Sequence, residues 1–145
     1  MPASSSNGAA KIFLDTNIIV YAFDPSAPAK LTRAAEIIRG RGWVVSWQVI
    51  QEFANVALHR FEVPFAPADL AEYLELVLWP RCAVYPSPDI HRKAIDIHEA
   101  FGFRYYDALI VAGALACGTE TLFSEDLQSG QRIGPLRVEN PFAAR

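Results

Sequence analysis

The sequence has few residues of the types that usually bind zinc. It contains only two cysteines and three histidines among its 145 residues. Cys82 and Cys117 lack metal-ligand spacing and have no further thiols beside them, so both are expected to be reduced core residues. The histidines are expected at the surface, and they are His59, His91 and His98. A zinc site is therefore not predicted.

The sequence also lacks long apolar runs and a strong excess of one charge. No stretch approaches the about 20 consecutive apolar residues of a membrane helix. Residues 1–10 lack the basic and apolar blocks of a signal peptide. We therefore expect a cytoplasmic protein with a flexible tail at 1–10 and a single domain at 11–145. The net charge of −3 argues against a protein that coats nucleic acid non-specifically, but it allows a local patch of basic residues.

Short apolar runs alternate with longer amphipathic segments along the chain. The pattern predicts strands at 12–14, 43–45, 82–85 and 121–123, with a weak fifth at 136–138. It predicts helices at 28–39, 47–58, 68–78, 88–101 and 105–117. Strands separated by helices require crossover connections. The predicted fold class is therefore α/β, a three-layer α/β/α sandwich with a mainly parallel central sheet.

Asp15 directly follows the first predicted strand and is the first candidate for chemistry. A buried parallel strand delivers the polar residue after it to the carboxyl edge of the sheet, where ligands bind in open α/β folds. Asp126 follows the 121–123 strand in the same way, so the two acids are expected at the same edge. An ordinary turn or N-cap aspartate remains the alternative interpretation of Asp15.

Two further acids lie on predicted helices. Glu52 is at the flank of the apolar stripe that contains Phe53 and Val56, which holds its carboxylate at the margin of the core. A boundary glutamate that reaches water would give the same pattern. Asp107 is in the first turn of an almost wholly apolar helix, where interaction with the helix dipole is the alternative explanation.

Four carboxylates at one edge would favour a bound cation. Clustered carboxylates repel one another and raise one another's pKa unless a cation neutralises them. Hard divalent ions such as Mg²⁺ or Mn²⁺ prefer oxygen ligands. A carboxylate-held Mg²⁺ is suited to phosphodiester hydrolysis. The sequence has no Gly-rich phosphate-binding loop that would indicate nucleotide chemistry instead.

Five segments of the sequence occur in the same order in one known family. They are Phe13–Asn17, Ser46–Phe53, Tyr105–Ile110, Thr121–Gln131 and Val138–Phe142. The chain resembles the PIN-domain ribonucleases, and specifically the VapC-type toxins of bacterial type II toxin–antitoxin pairs. The four acidic positions of that family correspond to Asp15, Glu52, Asp107 and Asp126.

The resemblance implies metal-dependent endonucleolytic cleavage of RNA, a homodimer, and a cognate antitoxin that covers the active site. Asp15 and Asp107 are then expected to ligate Mg²⁺, with Mn²⁺ as a possible substitute. Asp126 is expected to complete the site directly or through water. Glu52 is expected to hold or deprotonate the attacking water.

Neutral polar residues beside the acids help to separate the alternatives. Asn17 and Ser124 are expected to orient the carboxylates or a phosphate. A haloacid-dehalogenase-like phosphatase would need aspartate where Asn17 stands, and Ser124 lacks the Gly-flanked elbow of acyl-transfer enzymes. A catalytically silent PIN-type module that binds RNA or a protein partner is the remaining alternative. Silent modules lose the acidic set, which this chain retains.

Overall fold

The computed structural model describes residues 10–143, and its central sheet has six strands. They are β1 (Ile12–Leu14), β2 (Trp43–Ser46), β3 (Cys82–Val84), β4 (Thr121–Phe123), β5 (Arg132–Ile133) and β6 (Leu136–Glu139). Their order is β3-β2-β1-β4-β6-β5, and all neighbours are parallel except the pair of β5 and β6. The mainly parallel sheet is confirmed. Strand β5 was not predicted because two residues are too short to show a periodic pattern. The predicted tail lies outside the described residues except for its last position.

Helices connect β1 to β2, β2 to β3 and β3 to β4 as the prediction required, whereas the chain passes from β4 to β6 without a helix. They are α1 (Thr16–Tyr21), α2 (Pro28–Arg39), α3 (Trp47–His59), α4 (Pro67–Tyr73), α5 (Pro88–Phe101) and α6 (Tyr105–Ala116). The chain beyond α4 continues as a π-helical segment and a short 3₁₀ turn, Leu74–Leu78 and Trp79–Arg81. Helix α1 contacts α2 and α3, α3 contacts α4, and α5 packs against α6. Right-handed crossovers would put these two groups of helices on opposite faces of the sheet. None of the helices in residues 10–143 has the length and apolar character to cross a membrane.

Serine side chains start two of the helices. Ser46 Oγ accepts a hydrogen bond of 3.2 Å from the amide of Val49, which begins α3 at the predicted position. Ser87 caps α5 in the same way through the amide of Ile90. Ser46 also ends β2, so the change from strand to helix takes place at a single residue. This sharp turn carries α3 away from the sheet with Glu52 in its second turn.

The strand β1 lies in the middle of the hydrophobic core. Phe13 and Leu14 are fully buried, and Ile18 and Ile19 of α1 continue the core beyond the strand. The two cysteines are free and only partly buried against this core, so their predicted core position is confirmed in part. The expected surface position of the histidines is confirmed, since all three are exposed.

The sheet order creates a crevice between β1 and β4. From β1 the chain first builds outward through β2 to β3 and then returns to place β4 on the opposite side of β1. Ligands of open α/β sheets bind at such a reversal point, outside the carboxyl ends of the strands. Asp15 follows β1 and Ser124 follows β4, so both residues stand at this crevice.

Candidate active site

Asp15 occupies the junction between β1 and α1. Its Oδ1 accepts a hydrogen bond of 2.7 Å from the amide of Thr16, so it is the N-cap of α1. Its own amide donates to the carbonyl of Phe123 in β4. The side chain is only 5% exposed. The N-cap interpretation of Asp15 is therefore correct, and the same residue also lies at the sheet edge.

Ser124 binds the second oxygen of Asp15. Its fully buried hydroxyl donates a hydrogen bond of 2.7 Å to Asp15 Oδ2. The hydroxyl oxygen of Ser124 in turn accepts from the amide of Asp126 at 3.2 Å and from the amide of Leu127 at 3.4 Å. Ser124 thus connects the buried acid to the loop that carries the exposed one.

Asn17 links the same two acids from the other side. Its Nδ2 donates to Asp126 Oδ2 at 3.1 Å and to Asp15 Oδ2 at 3.4 Å. Its Oδ1 accepts from the amide of Glu125 at 3.2 Å. The amide of Asn17 therefore lies between the two carboxylates and reduces their direct repulsion. An aspartate at this position would add a further negative charge instead.

Glu52 is half-buried and accepts hydrogen bonds at both carboxylate oxygens. Thr16 donates to Oε1 at 2.5 Å, and Gln48 donates to Oε2 at 3.1 Å. Gln48 also donates to the carbonyl of Tyr106 at the start of α6. Sequence reasoning missed both donors. The four-residue spacing of Gln48 and Glu52 could have revealed one of them, whereas Thr16 is 36 positions away from Glu52.

Asp107 and Asp126 face an open cleft at the start of α6. The cleft has a volume of about 670 Å³ and is also lined by Arg104, Tyr105 and Tyr106. Asp107 is half-buried, and Asp126 is exposed. Arg104 was not singled out from the sequence, although it is the basic residue nearest in sequence to Asp107. The cleft therefore combines two acids with one cationic side chain.

The four acids interact through their charges. Burial raises the pKa of Asp15 to about 7, and the charges of Asp126 and Glu52 raise it further, while the hydrogen bonds from Ser124 and Thr16 oppose the shift. Burial likewise raises the pKa of Asp107, with added repulsion from Asp126 and Glu52 and an opposing effect of Arg104. Asp126 and Glu52 thus act electrostatically on both Asp15 and Asp107.

No salt bridge within residues 10–143 neutralises any of the four acids. The ion pairs in this part of the chain join other residues, such as Lys30 with Glu125 and Arg137 with Glu139. Over the same residues, no three acidic, histidine or cysteine side chains are already arranged to hold one ion. The site is a group of neighbouring acids and not a preformed cage. Its oxygen donors and unbalanced negative charge nevertheless suit a hard divalent cation.

Glu125 anchors the loop between Ser124 and Asp126 to the first two helices. Its carboxylate accepts from Lys30 at 2.5 Å and from the hydroxyl of Tyr21 at 2.6 Å. The ammonium of Lys30 also lies 4.7 Å from the centre of the Tyr21 ring. These three residues could not be singled out from sequence, because they come from three separate parts of the chain.

The segment that contains all of these residues, apart from the last strands, matches the model of one protein family. Residues 12–129 match the family model of the PIN domain, which covers most of the chain. The chain belongs to the PIN domain family. This confirms the resemblance at the level of the domain and excludes the phosphatase alternative. No curated protein matches the chain in sequence.

Solved structures of other PIN-like proteins share the fold. A toxin–antitoxin complex from Klebsiella pneumoniae superposes with a TM-score of 0.66 at 18% identity, covering 91% of this chain and 98% of that chain. VapBC2 from Rickettsia felis, bound to a DNA fragment from its promoter, gives 0.58 at 20% identity, with 89% and 97% covered. VapC20 of Mycobacterium tuberculosis, a sarcin-ricin loop cleaving toxin, gives 0.60 at 18% identity, with 80% and 92% covered. These similarities establish the PIN fold for nearly the full described chain.

Proposed function

We propose that this PIN domain is a divalent-metal-dependent endoribonuclease that acts as a toxin and is neutralised by a cognate antitoxin. The observation that carries the proposal is that the charges of Asp126 and Glu52 raise the pKa of both Asp15 and Asp107. None of these four carboxylates has a salt-bridge partner in the described chain. A purely structural cluster of acids would be stabilised by lysine or arginine partners that relieve the repulsion. A cluster that holds a catalytic cation must stay open.

The ion proposed is Mg²⁺, with Mn²⁺ as a substitute, because the donors are all oxygen atoms. Asp15 and Asp107 would hold it directly, and Asp126 would complete the site directly or through water. A bound ion of this kind lowers the pKa of water and stabilises negative charge on a phosphodiester. Asp126 is exposed and free of the core, so its carboxylate has room to move toward the other two.

Glu52 would take a proton from the attacking water. Thr16 and Gln48 each donate to one of its oxygens, which fixes the carboxylate plane and leaves further lone pairs open. Arg104, at the cleft beside Asp107, would attract the phosphate of the substrate. Asn17 and Ser124 would hold the carboxylates in place without adding charge.

The toxin role and its partners are proposed from the kinship. Structural neighbours are described as a toxin–antitoxin complex and as VapBC2, and a third is described as a cleaving toxin. A cognate antitoxin that covers the acidic cleft and a homodimer of this chain follow from that kinship. Cytoplasmic action on cellular RNA would be the setting of such a toxin.

RNA cleavage by the purified full chain tests the proposal. We expect cleavage of single-stranded RNA in Mg²⁺ or Mn²⁺, none in excess chelator, and none by Asp15→Asn in either condition. Asp96→Asn is the matched control, because Asp96 is an exposed acid on α5 away from the cleft. Equal cleavage in the presence and absence of chelator would show that the reaction does not depend on a divalent metal. RNA binding without cleavage in any metal would support the silent module instead.

A further inference from the structure

A second pocket opens beside the acidic cleft on the same side of the molecule. Its volume is about 210 Å³, and its lining includes Trp47, Tyr85, Leu109 and Tyr106. Tyr106 lines both this pocket and the acidic cleft, so the two share a wall. Ligand sites for drug-sized molecules begin at roughly 300 Å³. A pocket of this size suits a single planar ring system.

The aromatic rings around this pocket are unusually exposed. Tyr106 is 69% exposed and Tyr85 is 57% exposed, although both are large side chains with apolar rings. They belong to different elements, since Tyr85 follows β3 and Tyr106 is in the first turn of α6. Exposed aromatic side chains beside a basic residue are the surface on which unpaired nucleobases stack. Arg104, two residues before Tyr106, supplies that basic residue.

Polar side chains at the pocket can recognise the edge of a base. Gln51 is exposed, lines the pocket and makes no side-chain hydrogen bond within residues 10–143. Its amide therefore offers both a donor and an acceptor. His91 also lines the pocket and is held by the hydroxyl of Tyr105, which lies 2.5 Å from its Nδ1. Apolar walls with a free amide at one side match the chemistry of a nucleobase.

The pocket is directly connected to the proposed catalytic residues. Gln48 lines it, and its Nε2 donates both to Glu52 and to the carbonyl of Tyr106. One side chain thus joins the carboxylate that would activate water to the wall of the pocket. A nucleotide whose phosphate lies at the acids would have its base within reach of this pocket.

We propose that this pocket, defined by Trp47, Tyr85, Tyr106 and Gln51, receives one unpaired base of the RNA in the nucleotide beside the scissile phosphate. The base stacks on the tyrosine rings, and Gln51 contacts its hydrogen-bonding edge. The assignment deepens the proposed function and depends on RNA being the substrate. It implies that the protein cleaves single-stranded or looped RNA and discriminates among bases at one position.

A double-substitution cycle tests the stack. The RNA ends produced by the wild type locate the cut, and an oligonucleotide is then made with an abasic ribose at each flanking nucleotide in turn. We expect one abasic position to lower kcat/KM of the wild type about tenfold or more, as for loss of a base–aromatic stack. Tyr106→Ala should lower kcat/KM on the intact RNA by a similar factor and should respond little to the abasic substitution. Tyr106→Phe should retain the wild-type response because it keeps the ring.

Control variants separate the pocket from general effects. Phe101→Ala removes another exposed aromatic ring, outside the pocket, and should leave kcat/KM and the abasic response unchanged. Gln51→Ala should reduce the differences in kcat/KM among RNAs that vary only at the recognised base. An abasic effect of the same size in wild type and Tyr106→Ala would overturn the proposal. So would an unaltered base preference in Gln51→Ala.

A protein partner on this pocket is the competing occupant, and the same variants detect it. If the pocket were covered by a second copy of the chain, Tyr85→Ala and Tyr106→Ala would change the oligomeric state in light scattering. They would then lower cleavage of all RNAs equally, without altering base preference, and the proposal would fail.

Failure of the pocket and failure of the nuclease function are distinguishable. Fluorescence anisotropy measures binding of Asp15→Asn to short single-stranded RNA and to an abasic ribose-phosphate chain of equal length. If the wild type cleaves RNA but Asp15→Asn binds the RNA and the abasic chain equally well, the nuclease function stands and the base-binding role of the pocket is refuted. If no cleavage is seen but the protein binds RNA more tightly than the abasic chain, and Tyr106→Ala abolishes that difference, the base-binding pocket stands and the nuclease function is refuted.

Discussion

The hydroxyl of Ser124 donates a hydrogen bond of 2.7 Å to the carboxylate of Asp15, although the two residues are 109 positions apart in the chain. Ser124 follows β4 and Asp15 follows β1, and these strands are parallel neighbours in the middle of the sheet. The bond is therefore a direct product of the sheet order. It fixes the buried acid at the crevice and ties it to the loop that carries Asp126.

Removing this hydroxyl should weaken both the fold and the site. Ser124→Ala leaves one oxygen of Asp15 without its donor in a buried position, and we expect a loss of about 1–3 kcal/mol of unfolding free energy. Cleavage should fall roughly 10- to 100-fold, as for other groups that hold a metal ligand. The pH midpoint of activity should move upward, because the hydrogen bond from Ser124 lowers the pKa of Asp15. A variant that loses stability alone, with an unmoved pH profile, would make Ser124 purely structural.

The stability of the metal-free protein should depend on pH through Asp15. Burial raises the pKa of this carboxyl from 3.8 to about 7, so in that interval the folded state holds a proton that the unfolded state has lost. Unfolding free energy should therefore decrease as the pH rises from about 4 to about 7. Asp15→Asn should remove much of this slope and equal or exceed the wild type in stability at neutral pH in chelator.

Thermal unfolding in chelator across this pH range shows whether stability decreases or increases with pH. Adding Mg²⁺ should then raise the Tm of the wild type only, because a bound ion stabilises only the chain that holds it. An Asp15→Asn protein that melts well below the wild type at neutral pH in chelator would show that the N-cap role of Asp15 dominates.

Glu52 and the threonine that holds it should affect cleavage to different degrees. Glu52→Gln should lower kcat by roughly 10²- to 10⁴-fold if the carboxylate takes the proton from water. Thr16→Val should have a smaller effect, because Glu52 keeps its bond from Gln48. Glu99→Gln changes an exposed glutamate of α5 and serves as the control. Single-turnover kinetics at saturating RNA makes the comparison, and equal rates for Glu52→Gln and Glu99→Gln would exclude the proton-transfer role.

The contact of Lys30 with Glu125 should matter more for activity than for folding. Lys30→Met frees the loop between Ser124 and Asp126, so we expect a severalfold loss of cleavage with little change in Tm. Lys11→Met is a matched control, since Lys11 forms a salt bridge of 3.8 Å with Glu120 in which both side chains are more than two-thirds exposed. Exposed salt bridges of this kind contribute little to folding stability. The same loss of cleavage in both variants would show that the position of the charge is irrelevant.

Much of the fold could be predicted because its strands and helices differ in length and apolar pattern. The buried run Ile12–Leu14 and the almost wholly apolar α6 are unambiguous in the sequence. The alternation of such elements implied a parallel sheet, and the sheet edge then followed for Asp15. The helix α1 and the strand β5 were missed, since six and two residues give too short a pattern for periodicity to identify.

The supporting contacts of the site could be predicted only in part. Asn17 and Ser124 were found because they stand next to acids in the sequence. The donor Thr16 was missed because its bond to Glu52 depends on how α1 packs against α3. The pocket beside the cleft was missed for the same reason. Its rings come from three elements, and His91 appeared to be an ordinary surface histidine.

Binding of Mn²⁺ to the metal-free full chain tests the central claim most directly. Electron paramagnetic resonance of free Mn²⁺ gives the bound fraction without any need for substrate. We predict that the wild type and Asp96→Asn bind the ion, that Asp15→Asn and Asp107→Asn lose this binding, and that added Mg²⁺ displaces the Mn²⁺. Equal binding by all four proteins, or no binding by the wild type, would contradict the assignment of these acids as a metal site.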